Sequence, residues 1–196
     1  EKDGVLTLAA NGVEINFNTE NGLITSVKNE KTPISFNNGP KLTDEDSKFK
    51  SLKHYQKGDN QVVEIEYEGP IRKMVYTMQA NGWLKLDYSY FLRGRKDFMG
   101  INFDYPEEKV KGVKWLGKGP YRVWKNRMKG QNFAVHQKDY NNTVTGSDWG
   151  YPEFKGYHDR MYWAVIDTEE SPITIVSATD DVFLRLFTPK DSNNEN

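Results

Sequence analysis

The sequence of 196 residues contains no cysteine, only three histidines and almost no net charge. The absence of cysteine excludes disulfides, thiolate catalysis and metal sites built on cysteine. Because 27 Lys and Arg are balanced by 28 Asp and Glu, the chain lacks the basic excess that favours nucleic-acid binding. No apolar run approaches the roughly 20 residues that a membrane-spanning helix needs. We therefore expect neither a nucleic acid nor a membrane as a partner.

Aromatic residues are present in excess. The chain has 11 Tyr, 10 Phe and 5 Trp, which make up 13% of its residues. Such rings fill the cores of β-sheet proteins, and they also stack on the C–H faces of sugars. The composition alone favours the core interpretation and leaves sugar binding open.

Apolar and polar residues alternate with a period of two along much of the chain. The clearest segments are 13–18, 63–68 and 84–90, and we expect further strands at 23–28, 49–55, 72–79, 99–103, 161–166, 173–177 and 182–187. This alternation predicts half-buried antiparallel strands. Turn signals such as Asn11-Gly12 and Asn81-Gly82 separate them. The sequence predicts an all-β antiparallel sandwich or barrel that occupies residues 1–196 as one domain.

Two segments depart from this pattern. Residues 39–60 are polar and charged, and we expect a long excursion between strands there rather than a domain linker. Residues 115–163 contain eleven aromatic residues and six glycines but show little alternation. Loops with this composition often carry function, so the second segment is where we expect a site.

The second segment also carries an ordered set of motifs. They are Trp115-Leu116-Gly117-Lys118-Gly119-Pro120, Asn126-Arg127, Tyr151-Pro152-Glu153 and Arg160-Met161-Tyr162-Trp163. In this order they resemble the C-terminal β-galactosidase small-chain-type domain of family 2 glycoside hydrolases. Residues 13–17, 22–26 and 38–40 are similar to the first strands of that domain.

The resemblance implies a supersandwich that is similar in fold to galactose mutarotase. It also implies a module without catalytic residues, because family 2 enzymes hold both catalytic carboxyls in a separate barrel. We expect no cofactor, and no metal either, because the spacing of the histidines supports no zinc site. The implied partners are the catalytic domain of the same parent chain and a galactoside-like or related glycan. The family's common use on exported polysaccharides implies a periplasmic or extracellular location in a bacterium.

We predict that seven residues contact carbohydrate. They are Arg122, Trp124, Arg127, Trp149, Tyr151, Glu153 and His158. The aromatic members would form a stacking platform, and the polar members would supply hydrogen bonds. Glu153 has the alternative of an ion pair with Arg127 or Arg160, and Trp124 and Trp149 could instead face a neighbouring domain. We expect Trp115 and Trp163 to lie in the core.

Two other functions stay open. A mutarotase-like epimerase would use His136 or His158 as a general acid and Glu153 as a general base, whereas both histidines could also be rim or core residues. A free-standing carbohydrate-binding module would need the aromatic platform but no catalytic partner.

Overall fold

The computed structural model of the chain describes residues 3–42, 45–95, 100–121, 130–140 and 156–186, with only the backbone described at 156 and 157. Within these ranges every strand pairing is antiparallel. The helical content described there is one 3-10 turn at Glu107–Lys109, and no helix of these residues is long and apolar enough to cross a membrane. The prediction of an all-β antiparallel fold is confirmed, while the likeness to mutarotase stays a prediction.

The chain divides into two compact units, Glu1–Tyr105 and Pro106–Asn196. We call them the first unit and the second unit and describe each by itself. The assignment of residues 1–196 to one domain stays a prediction.

The described residues of the first unit form ten strands. They are β1 (Val5–Ala10), β2 (Val13–Asn18), β3 (Ile24–Asn29), β4 (Thr32–Ile34), β5 (Asn37–Leu42), β6 (Lys48–Lys57), β7 (Asn60–Glu68), β8 (Ile71–Met78), β9 (Leu84–Tyr90) and β10 (Ile101–Asp104). Two four-stranded sheets have the orders β1-β2-β3-β4 and β6-β7-β8-β9, and β5 pairs with β10.

The two four-stranded sheets of the first unit share one hydrophobic core. Phe17 of β2 and Tyr76 of β8 are fully buried and meet edge to face, with ring centroids 4.8 Å apart. Ile65 and Met74 belong to the same cluster and also have no exposed surface. Each sheet therefore buries one face against the other, as the alternation of apolar residues predicts for a sandwich.

The prediction of a long excursion at residues 39–60 is wrong, because this range contains most of β5 and all of β6. Four lysines of this range belong to β6, a strand at the edge of its sheet. There Lys50 pairs with Glu66 at 3.2 Å and Lys53 pairs with Glu64 at 2.7 Å, both across to β7. An edge strand exposes much of its surface, so its polar side chains cost little.

In the second unit, six strands lie within the described ranges. They are β11 (Val110–Gly119), β12 (Asn132–Asp139), β13 (Gly156–His158), β14 (Trp163–Thr168), β15 (Ile173–Val176) and β16 (Leu184–Leu186). Four of them form a sheet in the order β12-β11-β14-β15, and β13 pairs with β16.

Candidate functional site

The centre of the second unit is Trp115, which lies on β11 and has no exposed surface. Because side chains alternate between the faces of a strand, Gly117 and Gly119 lie on the same face as Trp115. A Cβ atom added to Gly117 would lie 3.2 Å from Cδ1 of Trp115, and one added to Gly119 would lie 2.8 Å from Cζ2. The indole thus lies along the strand over both glycines, which explains the spacing of the motif.

Two imidazole rings pack against this indole. His136 lies opposite Trp115 on β12, with ring centroids 5.2 Å apart, and His158 on β13 approaches to 4.5 Å. Gly119 also makes room for His136, because an added Cβ atom would lie 2.7 Å from its Cδ2. The indole Nε1 donates a hydrogen bond of 3.2 Å to the carbonyl oxygen of Lys118. The polar atom of the buried indole is therefore satisfied.

The segment after His158 runs along the end of β11. The Lys118 N–H donates to the Asp159 carbonyl at 2.9 Å, and the Tyr162 N–H donates to the Leu116 carbonyl at 2.9 Å. A Cβ atom on Gly117 would lie only 3.0 Å from the Asp159 carbonyl oxygen, so glycine permits this approach. The contact brings the Asp159 side chain, which is 10% exposed, to within 3.8 Å of Lys118 Nζ.

A buried lysine lies on the same strand and face as His136. The side chain of Lys138 is 6% exposed, and its Nζ lies 5.5 Å from the ring centroid of Tyr121. Lysine is rarely buried without a compensating contact, and a cation above an aromatic face is one such contact. The described residues around β11 therefore include an indole, two imidazoles, a carboxylate and two ammonium groups.

The opposite end of β11 is held by two charged contacts. The Tyr140 hydroxyl donates a hydrogen bond to the carboxylate of Glu107, and Lys109 forms an ion pair with Glu170. Burial, together with the contact with Glu107, raises the pKa of Tyr140 to about 12. Tyr140 therefore remains a neutral hydrogen-bond donor at physiological pH.

The other face of the four-stranded sheet carries a row of apolar side chains. Val135, Leu116, Trp163 and Val176 lie directly opposite one another on β12, β11, β14 and β15, and we call them the apolar row. Val135 is 53% exposed and Val176 is 59% exposed. Trp115 lies in the core as predicted, but the same prediction for Trp163 is wrong, because Trp163 is only partly buried. The two residues occupy opposite faces of the sheet.

Comparison with known proteins gives the chain a family. A family model described as the β-galactosidase small chain matches residues 9–191. The chain belongs to the β-galactosidase small-chain family. No curated protein matches it. The match extends over both units. The similarity of this small-chain protein to its family is therefore not limited to the motifs between Trp115 and Trp163.

Most of the predicted carbohydrate contacts of this small-chain protein lie outside the described residues. These are Arg122, Trp124, Arg127, Trp149, Tyr151 and Glu153. In the sequence, the first three follow β11 and the last three precede β13. His158 is described and has no exposed surface, which agrees with the alternative of a core histidine. The carbohydrate contacts stay a prediction.

Lys138 and Asp159 were missed by the reasoning from sequence. Lys138 is two residues from His136, so a prediction of β12 as a strand would have placed both side chains on the face of Trp115. No comparable signal exists for Asp159, because its burial depends on the close approach of backbone at Gly117. Within the described ranges, no three His, Asp or Glu side chains come together as metal ligands.

Proposed function

We propose that the chain is the non-catalytic C-terminal module of a family 2 glycoside hydrolase with β-galactosidase activity. In this role it supports the catalytic barrel and contacts the glycan near the entrance of the active site. The observation that carries the proposal is the match to the β-galactosidase small-chain family over residues 9–191. A small chain is suited to work beside a larger part of the enzyme that performs the hydrolysis.

The strand pairing supports a non-catalytic role. A (β/α)8 barrel needs eight parallel strands, each followed by a helix. The described residues contain only antiparallel pairs and one short 3-10 turn. A retaining glycosidase also needs two carboxyls roughly 5–5.5 Å apart, and in family 2 enzymes the barrel supplies them. The acid and the nucleophile would therefore come from the partner domain.

The apolar row is the surface that we propose to face the barrel. It crosses all four strands of the sheet without a polar interruption, and its two valines are more than half exposed. Phe133 and Tyr162 extend it, since both are exposed and their rings meet edge to face at 5.4 Å. A contiguous exposed apolar patch of this kind is typical of a docking surface.

We propose the glycan contact at the end of β11. Arg122, Trp124 and Arg127 follow Tyr121 closely in the sequence, and Tyr121 covers the ammonium group of Lys138. Stacking rings beside a few fixed polar groups are what a sugar site requires. The buried charges of this region would hold the neighbouring contact residues in place.

The proposal is tested by hydrolysis of an aryl β-galactoside. We expect turnover by the parent protein and none by this chain alone. Val135→Asp with Val176→Asp should lower the activity or the unfolding midpoint of the parent protein, because a charge would then be buried at the docking surface. The same pair should leave the unfolding midpoint of the isolated chain within about 2 °C, since both valines are exposed.

Val5→Asp provides the matched control, because Val5 is a valine of the first unit with 37% exposure. Hydrolysis by the isolated chain would refute the non-catalytic role. Accelerated anomer interconversion that disappears in His136→Ala would favour the epimerase instead.

A further inference from the structure

A cleft in the first unit lies where the turn between β7 and β8 meets the end of β9. It has a volume of about 230 Å³. Its lining residues are Glu45, Gly69, Pro70, Arg72, Phe91 and Arg93. None of them belongs to the motifs between Trp115 and Trp163, and no predicted carbohydrate contact lies here.

Backbone contacts fix the walls of the cleft. The Phe91 N–H donates to the Pro70 carbonyl at 2.8 Å, which joins the end of β9 to the turn. The Ile71 N–H donates to Ser47 Oγ at 2.8 Å, which holds the segment next to Glu45 against the same turn. Gly69 has a φ of +121°, and a Cβ atom there would lie 3.2 Å from Ser47. The backbone of this turn and its contacts therefore determine the position of the cleft walls.

Arg72 lies at an irregularity in the pairing of β8 with β9. The register pairs Ile71 with Tyr90 and then Lys73 with Ser89, so Arg72 is an extra residue without an opposite residue on β9. A β-bulge of this kind turns a side chain away from the direction that regular alternation gives it. Arg72 lies at this bulge and lines the cleft.

The two guanidinium groups of the cleft have no anionic partner in the described part of the chain. Arg72 forms no hydrogen bond or ion pair there, and the contact of Arg93 is with the ring of Phe91, 5.6 Å from guanidinium carbon to centroid. By contrast, Lys53 and Lys73 on the same sheet both pair with Glu64. Glu45 is the one acidic residue among the described lining residues, so these residues have a formal net charge of about +1 at pH 7.

An exposed aromatic ring stands beside these charges. Phe91 is 56% exposed, although large apolar side chains are more often buried. A ring in this position offers a flat surface to the C–H face of a sugar, as aromatic residues do in carbohydrate sites. The planar forks of two arginines match the oxygens of a carboxylate or a sulfate.

We propose that this cleft binds an acidic sugar residue, whose carboxylate or sulfate group pairs with Arg72 and Arg93 while its ring stacks on Phe91. The inference rests on the proposed function, because it names a charged glycan as a ligand of a glycan-processing module. It places this ligand in the first unit, apart from the contacts proposed at the end of β11.

Calorimetric titration of the chain tests the inference with three oligosaccharides of equal length: a uronate oligomer, a sulfated galactan oligomer and a neutral galactan oligomer. We expect at least one acidic ligand to bind about tenfold more tightly than the neutral one, and its affinity to fall as salt is added. Arg72→Gln and Arg93→Gln should each weaken binding by about tenfold. Phe91→Ala should also weaken it, and Phe91→Tyr should retain it.

Arg95→Gln is the matched control, because it removes the same charge two residues away and Arg95 does not line the cleft. Unchanged thermal unfolding would show that each variant is folded. The inference is overturned if no acidic oligomer binds, if the neutral oligomer binds equally well, or if Arg72→Gln and Arg93→Gln have no more effect than Arg95→Gln. The galactoside assay on the parent protein decides the proposed function independently, so the two failures are distinguishable.

Discussion

The two units fill their interiors with different kinds of side chain. The first unit packs aliphatic, aromatic and methionine side chains between two sheets. Of the five buried polar or charged residues in the described part of the chain, four lie in the second unit: Lys138, His158, Asp159 and Thr168. Buried polar groups need specific partners, and when satisfied they fix one arrangement. The interior of the first unit therefore depends mainly on apolar packing, whereas that of the second unit also depends on polar contacts.

One of these four buried residues, Thr168, does not belong to the candidate site. Thr168 Oγ1 donates to the Ser171 carbonyl at 2.7 Å and accepts from the Glu170 and Ser171 N–H groups. It closes the turn after β14 and is a structural group. Lys138, His158 and Asp159 instead contact residues of β11 or of the segment that follows it.

The largest expected effect comes from removing the indole at the centre of the second unit. Trp115→Ala should cost about 3–5 kcal/mol, because it leaves a cavity beneath His136 and His158. Trp83→Ala in the first unit should cost less than about 1 kcal/mol, since Trp83 is 47% exposed. Urea unfolding measures both values, and hydrogen exchange should locate the loss in β11 and β12. Equal costs for the two tryptophans would remove the contrast between the units.

A smaller loss of stability is expected when a methyl group is added to a glycine of β11 that contacts the aromatic rings. Gly119→Ala should cost about 2–3 kcal/mol, because the new methyl group would meet both Trp115 and His136 within 2.8 Å. Gly58→Ala is the comparison: nothing lies within 4 Å of its added Cβ atom, but its φ is +60°. It should cost only the strain of a left-handed backbone, about 1 kcal/mol. A smaller loss at Gly119 than at Gly58 would contradict this account of the motif.

The first unit contains a matched pair of buried tyrosines that sharpens the comparison. The Tyr76 hydroxyl is buried without a hydrogen-bond partner among the described residues, whereas the Tyr67 hydroxyl donates to the Asn21 carbonyl at 3.2 Å. Burial raises the pKa of Tyr67 to about 12 and raises that of Tyr76 well above its ordinary value, so both are neutral. Tyr76→Phe should stabilise the protein by about 1 kcal/mol, and Tyr67→Phe should destabilise it by about 1 kcal/mol. Thermal unfolding would refute the assignment if both variants shifted in the same direction.

Strands with a regular alternation of apolar and polar residues could be predicted from the sequence. A strand whose residues are chosen for close packing against other segments could not. The predicted bounds of β2 and β9 agree with the structure, because each strand alternates regularly. β11 was missed, since its three glycines interrupt the apolar pattern. All three glycines are approached closely by rings or backbone from other segments of the chain, and that information is tertiary.

Some features of the candidate site could likewise be predicted from the sequence, and others could not. The motif itself indicated the burial of Trp115, and the family follows from residues spread over both units. The alternation of β12 would place Lys138 on the face of Trp115, but the contact of its ammonium group with the Tyr121 ring could not be predicted. The cleft at Arg72 depends on a shift of register, and a residue-by-residue pattern does not reveal such a shift.

The smallest expected effect concerns Glu64, the one buried acidic side chain described in the first unit. Hydrogen bonds from Lys53 and Lys73 hold the pKa of Glu64 below its ordinary value, although burial opposes this. A carboxyl whose pKa is lower in the folded state contributes stability above its unfolded pKa of about 4.3, and this contribution disappears as the pH falls through the folded pKa. Glu64→Gln should therefore lower the unfolding midpoint at pH 7 slightly and make it less sensitive to acid below about pH 4.5.

Glu14→Gln is the control for this prediction. Glu14 also has a lowered pKa, because Lys28 and Asn16 hydrogen-bond to it, but its side chain is 37% exposed against 11% for Glu64. Solvent screens the exposed pair, so its substitution should change the acid profile less. Identical profiles for wild type and Glu64→Gln would mean that the three-strand contact through Glu64 adds nothing to stability. The interior of the first unit would then depend on its apolar packing alone, which would make its contrast with the second unit stronger.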